Sequence, residues 1–218
     1  TGRVHVFRGP EYTSEYVLAD PQQEEDEGFG LGLLIHDVDR DGILDVVVGA
    51  PAASGLTSGF ADEGRLFIWY GADLAASGHA AQPQMIESPI QQPKAFFGWA
   101  IRVADYDGDG VEDLWVVASF AWDIVILDGL TLQHIGSIPF PFDGVPPEST
   151  PLQLADVRHQ GDVNGDAIPD IVVSVPSALV EVSFFETENS GAVFVLAGPA
   201  YSGIADYLLS PDPQDAEA

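Results

Sequence analysis

The chain has 218 residues, 46% of them apolar, enough for one substantial domain or two small ones with a sizeable core. Its 35 acidic residues against 7 basic ones give a formal net charge of -28, which argues against nucleic acid and anionic membrane partners, because phosphate binding relies on Lys and Arg. With no cysteine, disulfides, thiolate metal sites and cysteine nucleophiles are excluded, and no run approaches the ~18 apolar residues of a membrane span.

In chain order, GRVHVFRG at 2–9 and EYVLADP at 15–21 read as two strands bounded by glycine and proline. Phe29-Gly30 follows, and eight residues after Phe29 a loop of alternating aspartates begins: Asp37, Asp39, Asp41 and Asp45 at positions 1, 3, 5 and 9. The strand DVVVGAP at 45–51 closes that loop, and GRLFIWYG at 64–71 and QMIESP at 84–89 complete a unit. A second unit repeats the order, with Phe97-Gly98, then Asp105, Asp107, Asp109 and Asp113, then DLWVVAS at 113–119, WDIVILDG at 122–129 and QHIGSI at 133–138. The third has Asp162, Asn164, Asp166 and Asp170, then DIVVSVP at 170–176, GAVFVLAG at 191–198 and DYLLSP at 206–211. No helical periodicity of useful length interrupts the pattern.

Four short strands per unit, at a period near 60 residues, are the signature of β-propeller blades. The expected fold class is therefore all-β, a β-propeller of four-stranded antiparallel blades with about three and a half blades present. The expected divisions are 1–21 for two strands of a partial blade, 22–89, 90–139 and 140–211 for whole blades, and 212–218 for a tail or link. A closed ring needs roughly 240 to 480 residues at this period. The chain is thus expected to be a fragment, or to have its ring completed by another chain or another part of the same one. Thr1 has no methionine or secretory leader before it, which fits a processed chain or a piece of something longer.

Carboxylates converging from positions 1, 3, 5 and 9 repel one another unless a cation sits between them, and hard oxygen ligands suit Ca2+ better than Zn2+. Glycines at 108 and 110 allow the sharp bend that aims them. An EF-hand opens with the same spacing but needs a bidentate Glu at position 12 and flanking helices. Position 12 here is Val48, Val116 and Val173, and the flanks read as strands, so the EF-hand reading fails. The alternative of plain solvated turns stands beside the metal reading, since Asp and Gly are turn formers.

Phe29-Gly30, the Asp37 to Asp45 loop and Val48-Gly-Ala-Pro51, with Phe97-Gly98 and the Asp105 to Asp113 loop, resemble the calcium-binding FG-GAP repeat of the integrin α-subunit propeller and its bacterial relatives. The resemblance covers essentially the whole chain. It implies three Ca2+ sites. The first would be held by Asp37, Asp39, Asp41 and Asp45 with the carbonyl of Ile43. The second would be held by Asp105, Asp107, Asp109 and Asp113 with the carbonyl of Val111. The third would be held by Asp162, Asn164, Asp166 and Asp170 with the carbonyl of Ile168. The third unit departs from the family pattern, with Leu154-Ala155 for Phe-Gly, Ala167 for the loop glycine and one charge fewer at Asn164, so its site is expected to be the weakest.

Trp69, Trp99, Trp115 and Trp122 could stack sugars, but their strand positions favour packing between blades. Phe29 and Phe97 are expected in the core, and the five histidines are scattered, His36 standing beside a predicted ligand. No nucleophile motif, zinc-protease motif or phosphate loop occurs, so no catalytic residue is assigned. By resemblance, the expected role is a non-enzymatic, extracellular, calcium-stabilised module for adhesion, protein recognition or scaffolding of a surface assembly. Its partner, a protein or a neighbouring subunit, would engage the loops opposite the calcium hairpins (51–63, 176–190, 22–28 and 140–152) or the open blade edges. A carbohydrate-binding or polysaccharide-acting propeller, of lectin or lyase type, is the alternative.

Overall fold

The computed structural model describes residues 2–23, 25–139, 153–156, 170–175, 179–183, 186–189, 192–196, 198 and 204–209. A two-stranded sheet opens the chain: β1 (Arg3–Arg8) pairs antiparallel with β2 (Thr13–Ala19). The first four-stranded antiparallel sheet follows in sequence order, with β3 (Leu33–His36), β4 (Asp45–Ala50), β5 (Arg65–Trp69) and β6 (Gln84–Glu87). The second has β7 (Phe97–Ala104), β8 (Asp113–Ala118), β9 (Asp123–Leu127) and β10 (His134–Pro139). The third comprises β11 (Gln153–Asp156), β12 (Ile171–Val175), β15 (Ala192–Leu196) and β16 (Ile204–Leu209), with the hairpin β13 (Leu179–Ser183) and β14 (Glu186–Asn189) inserted between its second and third strands. These are the blades of a β-propeller, present in part.

Two features differ from the sequence reading. The segment 176–190, expected as a loop, contains the β13–β14 hairpin, whose Leu179–Ser183 strand is too short a run to separate from loop by pattern alone. A short helix, α1 (Gly71–Ser77), and a 3₁₀ turn at Gly78–Ala80 join β5 to β6. Two turns built on Ala72, Ala75 and Ala76 need only one buried anchor, Leu74, so no helical stripe is visible in the sequence.

The blades stack face to face. β4 and β8 are buried along their whole length, because each is a middle strand covered on both faces. One core joins Val47, Leu66 and Ile68 of the first sheet to Phe97, Ile101, Leu114 and Val116 of the second. On the opposite face of the first sheet, Val46, Val48, Phe67 and Trp69 pack with Phe29, Leu18 and the half-buried Val4 and Val6 of the β1–β2 hairpin. Phe29 and Phe97 are core residues, as expected, and complete burial of a phenylalanine contributes about 1.5–3 kcal/mol. Three of the four tryptophans, Trp69, Trp115 and Trp122, are buried, while Trp99 sits edge-on to Phe96 in a partly covered position.

Glycine sets the distance between blades. Gly98, with φ +95°, brings its carbonyl so close to Gly49 and Gly32 of the preceding blade that a Cβ on either would overlap it. Gly64 meets the Phe97 carbonyl in the same way. The Phe97 amide then donates to the Glu63 carbonyl at 3.0 Å, and Lys94 and Phe96 donate to Ala61 and Asp62, so backbone stitches the two blades together. The second half of the Phe-Gly motif and the Gly of Val-Gly-Ala-Pro are thus two sides of one contact. Gly49→Ala is expected to cost roughly 2–3 kcal/mol, because backbone must give way on both sides. In thermal denaturation this reads as a fall of about 4–12 °C in Tm.

Candidate metal centre

The loops Asp37–Asp45 and Asp105–Asp113 join the first and second strands of their blades and have the same internal wiring. In the first, Asp39 accepts from the amide of Asp41 (3.1 Å), Asp41 from Ile43 (2.7 Å) and Asp37 from Gly42 (3.0 Å). In the second, Asp107 accepts from Asp109 (3.1 Å), Asp109 from Val111 (2.7 Å) and Asp105 from Gly110 (2.9 Å) and Gly108 (2.8 Å). Aspartate accepting from the amide two residues on is the Asx-turn habit that makes the type favourable here. Position 6 is glycine in both, at φ +87° and +86°. Position 4 is also left-handed, held by Gly108 in one loop and by Arg40, φ +63°, in the other.

Position 9 has a second task. Asp45 is fully buried and accepts from the amide of Val38, at position 2 of its own loop, and from Gly71, the first residue of α1 just past β5, both at 2.7 Å. Asp113, 1% exposed, accepts from Tyr106 and Gly129, both at 2.8 Å. Asp170, 2% exposed, accepts from Gly198 at 3.2 Å. Asp45 and Asp113 each clamp their loop and the residue just past the third strand to the start of the second, and Asp170 holds the residue just past the third strand of its own sheet. The glycines receiving this clamp were not singled out as functional, although their recurrence at the end of GRLFIWYG, WDIVILDG and GAVFVLAG marks them. Burial, opposed by the two amides and reinforced by neighbouring aspartates, holds the Asp45 and Asp113 carboxyls above the usual carboxylate range.

The geometry brings ligand atoms of Asp37, Asp39 and Asp45 within 4.8 Å of one another, and does the same for Asp105, Asp107 and Asp109. Asp37 Oδ1 is buried and accepts no hydrogen bond, a position a cation would satisfy. Both donor sets are all-oxygen and anionic, which fits a hard divalent ion. Asp41 and Asp113 stand in the same loops, at positions 5 and 9, outside the tight groupings. The carbonyl-bearing residues differ in setting: Ile43 is 45% exposed and Val111 is 7% exposed. Of the third loop only Asp170 lies among the described residues, so Asp162, Asn164, Asp166 and Ile168 fall outside them. His36 Nε2 lies 3.7 Å from Glu112 of the neighbouring loop, which places its contact across the blade boundary.

With the hairpins and their aspartates in view, comparison with known proteins is decisive for the type. A model of the FG-GAP repeat matches residues 29–69, a span that runs from Phe29 through the first aspartate loop to the end of β5. The chain is an FG-GAP repeat protein. It is similar to the phosphatidylinositol-glycan-specific phospholipases D of Bos taurus and Homo sapiens, each 32% identical over 158 residues, covering 68% of this chain and 19% of the relative. Integrin alpha-10 of Homo sapiens is 27% identical over 166 residues, covering 74% of this chain and 13% of the integrin. The chain therefore spans less than a fifth of the length of these relatives. Its FG-GAP blades are those of an integrin-α-like propeller.

Asp113→Ala is expected to leave the buried amides of Tyr106 and Gly129 without an acceptor. That loss should cost about 2–5 kcal/mol, measured by denaturation in the presence of a chelator so that no metal contributes. The exposed Asp107→Ala, under the same conditions, should shift stability by less than about 0.5 kcal/mol.

Proposed function

We propose that this chain is a non-enzymatic, extracellular module for protein recognition or adhesion, stabilised by calcium. The observation that carries the reading is the Asp37–Asp39–Asp45 cluster with its buried Asp37 oxygen that accepts no hydrogen bond, accompanied in the second loop by a cluster from positions 1, 3 and 5, Asp105–Asp107–Asp109. The ligands would be the side chains of Asp37, Asp39, Asp41 and Asp45 with the Ile43 carbonyl, and of Asp105, Asp107, Asp109 and Asp113 with the Val111 carbonyl. A third set, from Asp162, Asn164, Asp166 and Asp170 with Ile168, would bind most weakly. The ion supplies charge neutralisation and pins the innermost strand to the next, and no chemistry is assigned to it. In this reading residues 22–89, 90–139 and 140–211 are successive blades, and 1–21 belongs to a fourth.

Antiparallel strands put the aspartate hairpins at one end of the blades and the connections from second to third strand at the other. That far end carries the 51–63 connection in the first whole blade. The loop is ordered: Ser58 donates to Glu63, Arg65 reaches the Ser54 carbonyl, and Gly55 donates to Phe60 at 2.9 Å. Leu56 and Phe60 nonetheless remain 50% and 39% exposed on it. Ordered backbone presenting apolar side chains is what a recognition loop needs. Integrin relatives favour a protein partner. The phospholipase D relatives favour a second reading, a non-catalytic blade set serving an enzyme of which this chain matches only a part.

Calcium at tenfold excess over a Kd of about 10⁻⁴ to 10⁻³ M adds roughly 1.4 kcal/mol per site, so two or three sites contribute about 3–4 kcal/mol. Calorimetry is expected to show Tm higher in calcium than in EDTA by on the order of 10 °C, and an unchanged Tm removes the stabilising role. Leu56→Asp with Phe60→Asp should abolish cell or protein adhesion without altering Tm by more than about 2 °C. Adhesion that survives the pair of changes relocates the recognition surface.

A further inference from the structure

The third strands of the first two whole blades open at equivalent places with opposite charges. Arg65 begins β5 paired with Ala50, and Asp123 begins β9 paired with Ala118. By strand alternation Arg65 shares a face with Phe67 and Trp69, and Asp123 shares one with Val125 and Leu127. Each therefore lies on the side that meets the preceding blade. Arg65 is completely buried and is served from two directions. Its guanidinium donates to the Ser54 carbonyl in the long 51–64 connection and lies 4.0 Å from Met85 Sδ on β6.

The second blade fills the same frame differently. Ser137 stands on β10 where Met85 stands on β6, since Ser137 pairs with Val125 as Met85 pairs with Phe67. Ser137 hydrogen-bonds the Asp123 carboxylate, and the Ile124 amide supports it too. The connection ahead of Asp123 runs only from 119 to 122, and Oδ1 of the carboxylate is buried and accepts no hydrogen bond. Outward, Ser137 Oγ lies 3.1 Å from Nε2 of the exposed His134. With the imidazole donating to Ser137 and Ser137 to Asp123, a file of hydrogen bonds runs from solvent to a carboxylate at the blade boundary.

A carboxylate with one buried oxygen unserved is costly when charged. Burial pushes the Asp123 carboxyl above the usual range, and Ser137, the Ile124 amide and His134 pull the other way in that order. His134 is the charged group that bears on it among the described residues. Ala118 and Pro139 stand opposite it on β8 and β10, and Ile86 and Ile90 of the first blade pack on the adjoining core. Glu87 of β6 is taken up by the Thr57 amide at 3.2 Å.

We propose that Asp123, Ser137 and His134 form a proton-operated joint between the first and second whole blades, closed when Asp123 takes up a proton and loosened when it gives the proton up. The proton goes to Oδ1, while Ser137 keeps its bond to the other oxygen. A carboxyl raised in the folded chain contributes stability fully below the unfolded value of about 3.9, and loses it as pH rises through the folded value. Mild acid thus tightens this boundary. The equivalent boundary at Arg65 does not respond, because a guanidinium keeps its charge. None of the three residues belongs to an aspartate loop or to the 51–63 connection, so the joint stands or falls independently of calcium binding and adhesion.

The direct probe is the carboxyl carbon-13 shift of Asp123, followed by NMR from about pH 3 to 8 in the full chain with calcium held constant. Its titration midpoint is expected above the ordinary aspartate value of about 3.9. Ser137→Ala and His134→Ala should each raise the midpoint further, Ser137→Ala by more, which a packing role alone would not do. Asp123→Asn fixes the neutral form. It should melt about 2–4 °C above the native chain at about pH 7.5 and within about 1 °C of it at about pH 4. A midpoint at or below about 3.9, or one that neither substitution moves, overturns the proposal. So does a Tm difference between the Asn variant and the native chain that is the same at both pH values.

Discussion

Everything in a blade depends on one buried carboxylate. Asp45, Asp113 and Asp170 each lie within the sheet with almost no exposure and accept backbone amides from elements that are not their own strand. A buried charge without such donors would cost several kcal/mol, so the amides are a condition of its being there. In return the carboxylate fixes where the loop turns and where the third strand ends. Around it the loop aspartates gather, at positions 1, 3 and 9 in the first blade and 1, 3 and 5 in the second, in clusters that could hold a cation. The structural clamp and the candidate metal centre occupy the same loop.

The second constraint acts between blades. The Phe97 side chain fills the core while its backbone meets Gly64, and the next residue, Gly98, brings bare backbone against Gly49 and Gly32. Aromatic bulk and the absence of side chains at adjacent positions give a contact that is both apolar and close. Spacing between sheets is set by backbone, so it does not vary with the side chains elsewhere on the faces. This explains how strands as different as DVVVGA and DLWVVA occupy equivalent places.

Much of this was legible in the residues. Strand ends fell within a residue or two of their glycine, proline and aspartate punctuation, and the three units were visible because aspartate loops recur at a fixed place in each. The aspartates of the first two loops were named as a group, and the structure brings three from each together. The β13–β14 hairpin and α1 were not legible, because a four- or five-residue strand and a two-turn helix carry too few periods to separate from loop. The role of Gly71, Gly129 and Gly198 as donors was also hidden. A backbone amide has no residue type, and its partner lies 16 to 28 residues away.

By itself, then, the sequence determined the repeat, the strand pattern and the chemistry of the loops, since all three rest on local spacing: alternation along a strand and aspartates two apart in a turn. Only the tertiary structure decided which of those aspartates face a shared point and which is buried as a clamp. It alone set Arg65 and Asp123 at equivalent places in successive blades, one served from two sides and the other with a buried oxygen that accepts nothing. Their difference is what neighbouring strands and loops bring to them, and no local pattern records what covers a strand.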